Sequence, residues 1–67
     1  MNLSIDKLLN KVGSKYLLVN ITSARAKEMA EKDYYQLKES EYVSKKEVGK
    51  ALEEISKDMV HIEEEEN

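Results

Sequence analysis

The sequence predicts an all-α fold: a small three-helix domain with a connecting loop between helices 2 and 3 and a mobile acidic C-terminal tail. The chain contains no proline and only two glycines, Gly13 and Gly49, so few residues interrupt a helix. Apolar residues also recur at helical spacing in three segments. We expect one helical domain over residues 1–62 and an acidic tail over residues 63–67.

The first helix is predicted over residues 4–12. Ser4 is a favourable N-cap, and Asp6 lies in the first turn, where the helix dipole favours an anion. Gly13 follows at the position where many helices end in a left-handed residue. One narrow apolar stripe runs along this helix, formed by Ile5, Leu8, Leu9 and Val12.

The second helix is predicted from Lys15 to about Lys32, with Ser14 as its cap. A strand over residues 16–21 is the alternative, because a run of four apolar residues begins it and β-branched residues are included. The Ala-, Lys- and Glu-rich continuation favours a helix. At about 100° per residue, the apolar face of this helix covers an arc of roughly 180°. That arc is formed by Leu18, Val19, Ile21, Thr22, Ala26, Met29 and Ala30.

The third helix is predicted to follow a loop over residues 33–43. The segment Ser44-Lys45-Lys46-Glu47 has the S-x-x-E pattern of a capping box, and Val43 and Val48 are spaced for a hydrophobic staple. We expect the helix to begin there and to run to about Asp58. Its narrow apolar stripe comprises Val48, Ala51, Leu52, Ile55 and Met59. Residues 60–62 alternate in polarity, which fits a short extended piece.

Size and composition favour a protein that a partner stabilises. A lone core in a chain of 67 residues rarely supplies more than about 3–5 kcal/mol. The chain has no cysteine, so disulfides and thiolate metal sites are excluded. We expect no cofactor and no metal, since a single histidine and carboxylates without calcium-loop spacing make no site.

Charge and hydropathy narrow the possible partners. No run approaches the roughly 18 apolar residues of a membrane span. The net charge of −3 disfavours direct binding to nucleic acid. The sequence begins with no secretion signal, so we expect the cytoplasm. His61 has no acid or nucleophile placed beside it, and the chain on its own is not expected to be an enzyme. The loop tyrosines are expected to pack the loop onto the helices.

The second helix is the candidate partner-binding element. Its arc is too wide for one narrow stripe to cover, although two stripes that close a three-helix core are an alternative. Arg25 lies within the arc, and we see no carboxylate one turn away on its face. Its partner is then a distant acidic residue of this chain or a group on another protein. Gly49 indicates close approach of another backbone or simple tolerance near a helix end. The candidate partner-binding residues are Tyr16, Leu18, Val19, Thr22, Arg25, Ala26, Met29, Gly49 and Leu52.

Four segments in this order resemble the omega subunit of bacterial RNA polymerase, in the short form of low-GC Gram-positive bacteria. They are Ser4-Ile5-Asp6 with Leu8-Leu9, Ser14-Lys15-Tyr16-Leu17-Leu18-Val19, Ala24-Arg25-Ala26-Lys27-Glu28-Met29, and Val48-Gly49-Lys50-Ala51-Leu52-Glu53-Glu54-Ile55. The resemblance covers roughly residues 3–62. It implies a non-catalytic subunit that binds and latches the beta-prime subunit within the alpha2-beta-beta-prime core and promotes its assembly.

Two departures from the family pattern limit what carries over. Many relatives have two consecutive basic residues where this chain has Ala24-Arg25. Some bind guanosine tetraphosphate through a Met-Ala-Arg start, but Met1-Asn2-Leu3 offers no guanidinium, so that ligand is not expected here. A small helix-turn-helix-like DNA-binding module and a homodimeric helical adaptor are the alternative functions.

Overall fold

The computed structural model describes residues 4–60, which form three α-helices and one short 3-10 helix. The helices are α1 (Ile5–Val12), α2 (Lys15–Lys32) and α3 (Glu47–Ser56), and the 3-10 helix covers Glu39–Glu41. The predicted all-α class is confirmed, and no strand occurs between residues 4 and 60. The strand alternative for residues 16–21 is wrong, because that segment lies inside α2. The predicted acidic tail lies outside the described residues.

The turn between α1 and α2 is closed by the residues that the sequence indicated. The Ser4 side chain caps α1 by accepting a hydrogen bond from the Lys7 N–H at 3.3 Å. Gly13 ends α1 with φ of +84°, and its N–H donates to the Leu9 carbonyl. The Ser14 hydroxyl then caps α2 by accepting from the Leu17 N–H at 3.2 Å. Two residues therefore separate the helices, and α1 folds back onto α2.

The start of α3 differs from the prediction. The N-cap is Lys46, with no side-chain cap, so the predicted capping box on Ser44 does not form. The Val43 and Ser44 N–H groups instead donate to the Glu53 carboxylate, at 3.0 and 2.7 Å. A charged acceptor with two donors outcompetes a local hydroxyl cap. The predicted staple is also not buried, since Val43 and Val48 are 61% and 55% exposed.

The core consists of two clusters that follow one another along the same face of α2. One cluster joins all three helices through Leu8, Val12, Leu18 and Ile55. The other joins α2 and α3 through Ala26, Met29 and Ala51, with Tyr35 of the loop packed against it. Both narrow stripes thus cover parts of the wide arc, as the closed-core alternative proposed.

The C-terminal end of α3 is earlier than predicted. The helix ends at Ser56 instead of near Asp58, and Asp58 adopts a left-handed φ of 59°. Lys11 of α1 reaches this end, where its ammonium group lies 2.7 Å from the Asp58 carboxylate. Within residues 4–60, no helix combines the length and the apolar character required to cross a membrane.

Gly49 is required by close packing inside the chain. A Cβ atom placed on Gly49 would lie 2.5 Å from the Ser44 Cβ and would also collide with its hydroxyl oxygen. The sequence suggested close approach of another backbone, but the group that approaches Gly49 is the side chain of Ser44 in this same chain. It holds the loop against the first turn of α3.

We expect Gly49→Ala to destabilise the protein, although alanine is the better helix former by about 1 kcal/mol. Forcing Ser44 away from α3 should cost about 1–3 kcal/mol, as overpacking does in other close-packed interiors. Urea unfolding followed by circular dichroism measures the change. Adding Ser44→Gly removes both colliding atoms and should recover part of the loss. Equal stability of Gly49→Ala and the parent chain would contradict the packing argument.

Candidate partner-binding site

Arg25 is neutralised inside the chain. Its Nε donates to the Glu54 carboxylate at 2.7 Å, a second nitrogen pairs with Glu28, and a third donates to the Tyr34 carbonyl at 3.3 Å. The sequence argument that no carboxylate lies one turn away was wrong, because Glu28 is three residues along the same helix. The sequence left two kinds of partner open for Arg25, a distant acidic residue of this chain or a group on another protein. The structure shows the first, which is Glu54.

Glu54 is the centre of a buried polar network. Its side chain is fully buried and accepts hydrogen bonds from Arg25, the Tyr42 hydroxyl and the Gln36 side-chain amide. Burial by itself would raise the pKa of Glu54, but these donors outweigh it and hold the pKa below its ordinary value. The network ties the loop and α2 to α3.

The loop tyrosines close this side of the molecule, as the sequence predicted. Tyr42 is buried and meets Tyr35 edge to face, with ring centroids 6.1 Å apart. The Lys50 ammonium group lies over both rings and pairs with Glu39 at 2.6 Å. Tyr34 covers the Arg25 guanidinium at 4.8 Å. The polar groups on this side therefore meet partners within the chain.

An apolar groove, hereafter the groove, lies on the opposite side of α3. It has a volume of about 450 Å³ and is walled by all three helices. Its apolar rim is exposed: Ile5 and Val19 are each 53% exposed and Val48 is 55% exposed. The lining residues are Ile5, Leu9, Lys15, Leu18, Val19, Thr22, Ser23, Val48 and Leu52. Lys15 is the one charged side chain among them.

Thr22 adds an unsatisfied polar atom to the groove lining. Its side-chain oxygen Oγ1 is buried and has no hydrogen-bond partner among the described residues. A buried hydroxyl without a partner costs about 1–3 kcal/mol. The groove thus combines exposed apolar side chains with a hydroxyl that lacks a partner, which is the chemistry of a docking surface.

Comparison with known proteins decides the family. The family model described as RNA polymerase Rpb6 matches residues 7–62. The chain belongs to this family. It is 51% identical over 63 residues to the DNA-directed RNA polymerase subunit omega of Geobacillus kaustophilus, covering 94% of this chain and 92% of that one. It is also 45% identical over 62 residues to the same subunit of Bacillus subtilis, covering 92% and 90%. No solved structure gave a significant match.

The nine sequence-predicted residues separate into distinct places in this Rpb6-family chain. Leu18, Val19, Thr22 and Leu52 line the groove. Tyr16 is 84% exposed but does not line it. The others meet groups of this chain, since Arg25 joins the polar network, Ala26 and Met29 lie in the second core cluster, and Gly49 packs on Ser44. Their roles in partner binding remain predictions.

Five groove residues were not among the predicted ones, namely Ile5, Leu9, Lys15, Ser23 and Val48. Of these, Ile5, Leu9 and Val48 were predicted as members of narrow apolar stripes. Ile5 and Val48 lie in the first turns of α1 and α3, at the ends of their stripes, and both are exposed. That terminal position was the available signal.

We expect acid to weaken the fold through Glu53 and Glu54. The pKa of each carboxyl is lowered in the folded chain, although burial opposes the shift, because N–H donors, the Arg25 guanidinium and the Tyr42 hydroxyl favour the charged form. The pKa of an ordinary glutamate is about 4.3. The stabilisation is therefore complete at neutral pH and is lost as pH falls below that value towards the lower folded pKa.

The measurement is the urea midpoint between about pH 6 and pH 3, with Glu54→Gln as the variant. Glu54→Gln should lower the midpoint at pH 6 and flatten its dependence on pH. Glu31→Gln, an exposed carboxylate on α2, is the matched control and should retain the parent slope. Parallel pH profiles for Glu54→Gln and the parent chain would show that the buried carboxylate does not carry the effect.

Proposed function

We propose that this chain is a non-catalytic subunit of DNA-directed RNA polymerase that binds and latches the beta-prime subunit and promotes its folding and assembly into the core enzyme. Membership in the Rpb6 family supports a place in the polymerase, as do relatives that are themselves omega subunits. In this proposal the active site lies in other subunits. The chain acts in the cytoplasm with the polymerase, and it needs neither a cofactor nor guanosine tetraphosphate.

The observation that carries the proposal is the exposed groove. Removing apolar surface from water contributes about 25 cal/mol per Å² and is the main source of affinity in protein association. Three half-exposed aliphatic side chains, Ile5, Val19 and Val48, surround this groove. The opposite side of α3 is occupied by the Glu54 network. We therefore assign the groove, and not the face around Arg25, to beta-prime.

Assembly follows from mass action. A ligand that binds only the folded or correctly joined beta-prime stabilises that form and so raises its population. The stabilisation is about 2.7 kcal/mol when the ligand concentration is 100 times Kd. A small protein that touches two distant segments of a long chain also reduces the entropy cost of holding them together. No catalytic group is required of the subunit for either effect.

We expect the double variant Val19→Asn, Val48→Asn to bind beta-prime about 10- to 100-fold more weakly, because it places amides in an apolar contact. Valine and asparagine have similar helix propensity, and both sites are exposed in the free chain, so the helix content should not change. The measurement is the amount of beta-prime that co-purifies with a tagged full chain.

Val43→Asn is the matched control. Val43 is 61% exposed and lies outside the groove, and asparagine retains the backbone N–H that binds Glu53. This variant should retain beta-prime at the parent level. If the unmodified chain recovers no large polymerase subunit, the proposed function is wrong.

A further inference from the structure

We infer that the groove receives an amphipathic α-helix of the partner, with apolar side chains three and four residues apart and an acidic residue that meets Lys15. This inference rests on the proposed function, and it adds the conformation and charge of the segment that docks. Three features of the groove support it. They are the backbone hydrogen bonding of its floor, its charge, and the Thr22 hydroxyl, for which the described part of the chain offers no partner.

The floor of the groove favours a helix over an extended segment. Thr22 lies within α2 and Leu52 lies in the middle of α3, while Leu18 lies at the end of the first turn of α2, where its N–H already donates to the Ser14 carbonyl. Backbone N–H and C=O groups at such positions are bonded within their own helices. An extended segment would therefore bury its own backbone groups without partners from the floor. A helix satisfies its backbone internally and presents only side chains, as in other helix-in-groove complexes.

The charge of the lining sets the orientation of that helix. Among residues 4–60, Lys15 is the one charged side chain that lines the groove. It belongs to the basic half of the chain, since residues 1–30 contain five basic and two acidic side chains. An acidic residue of the partner placed beside Lys15 fixes one end of the docked helix. Pairs at the edge of an interface act mainly on specificity and on the rate of association.

Thr22 selects a polar group on the docked helix. Its Oγ1 atom is buried without a hydrogen-bond partner among residues 4–60. Threonine in a helix has two accessible χ1 rotamers, so a polar group on an occupant of the groove competes for this hydroxyl with a carbonyl of the preceding turn of α2. A donor or acceptor side chain between the apolar anchors of the partner satisfies it and removes the desolvation cost.

The spacing of cross-links tests the conformation of the partner segment. Val19→benzoylphenylalanine and Val48→benzoylphenylalanine are introduced separately into the tagged full chain, which is expressed in its own cells and irradiated. The cross-linked residues of beta-prime are identified by mass spectrometry. We expect them three, four or seven residues apart on one apolar face. Alternate-residue spacing, or cross-links to a second copy of this chain, overturns the inference.

Charge reversal tests the acidic contact. Lys15→Glu should weaken beta-prime binding by up to about fivefold, and an acidic-to-lysine change in the cross-linked segment should restore it. Lys7→Glu is the matched control, because it makes the same charge change in the first turn of a helix but outside the groove. Glutamate is tolerated in a first helical turn, so both variants keep the fold. Equal weakening by both variants, or by neither, contradicts the contact.

The outcomes separate this inference from the proposed function. Recovery of beta-prime with cross-links of extended spacing refutes the helix and leaves the polymerase role intact. Failure of the unmodified chain to recover beta-prime refutes both. Recovery with helical spacing and with a specific loss at Lys15 supports both.

Discussion

The buried ion pair of Arg25 and Glu54 is the interaction on which the rest of the structure depends. It joins α2 to α3 across 29 residues of sequence at a distance of 2.7 Å. Removing one member of a buried pair leaves the other charge without compensation, at a cost of about 3–5 kcal/mol. That cost is similar to the whole stability that a core of this size supplies. Gln36 and Tyr42 then attach the loop to the same carboxylate, so one side chain organises most of the segment between the two helices.

The ion pair also divides the surface of α3 into two faces. On one face, Glu53 and Glu54 accept hydrogen bonds from the loop and from α2. On the other, Val48 and Leu52 wall the groove with α1 and α2. The polar side chains of α3 that bond to the loop and to α2 lie on the face of Glu53 and Glu54. The face of α3 towards the groove is therefore almost wholly apolar. The same helix can thus close the fold and present a surface for association.

Local signals predicted more of this structure than long-range ones. The bounds of α1 and α2 follow from Ser4, Gly13 and Ser14, each of which acts on residues within four positions of itself. The start of α3 was predicted wrongly. The N–H groups of Val43 and Ser44 donate to Glu53, which lies ten and nine residues further along the chain, and a local capping pattern takes no account of such a distant acceptor. The sequence left open which group pairs with Arg25. Hydrophobic periodicity treats glutamate as a surface residue, so it cannot show that Glu54 is buried together with its hydrogen-bond donors. The groove likewise depends on how three helices cross, which no single stripe reveals.

The hydrogen bonds between Glu53 and the loop affect which substitutions the loop tolerates. The carboxylate accepts from the main-chain N–H groups of Val43 and Ser44. At the exposed Val43, every amino acid except proline, which lacks the N–H, leaves this hydrogen bond in place. At Ser44 the side chain also packs against Gly49, so a larger residue there would collide with the first turn of α3. Diversity at the first position, but not at the second, is compatible with a fixed path of the chain.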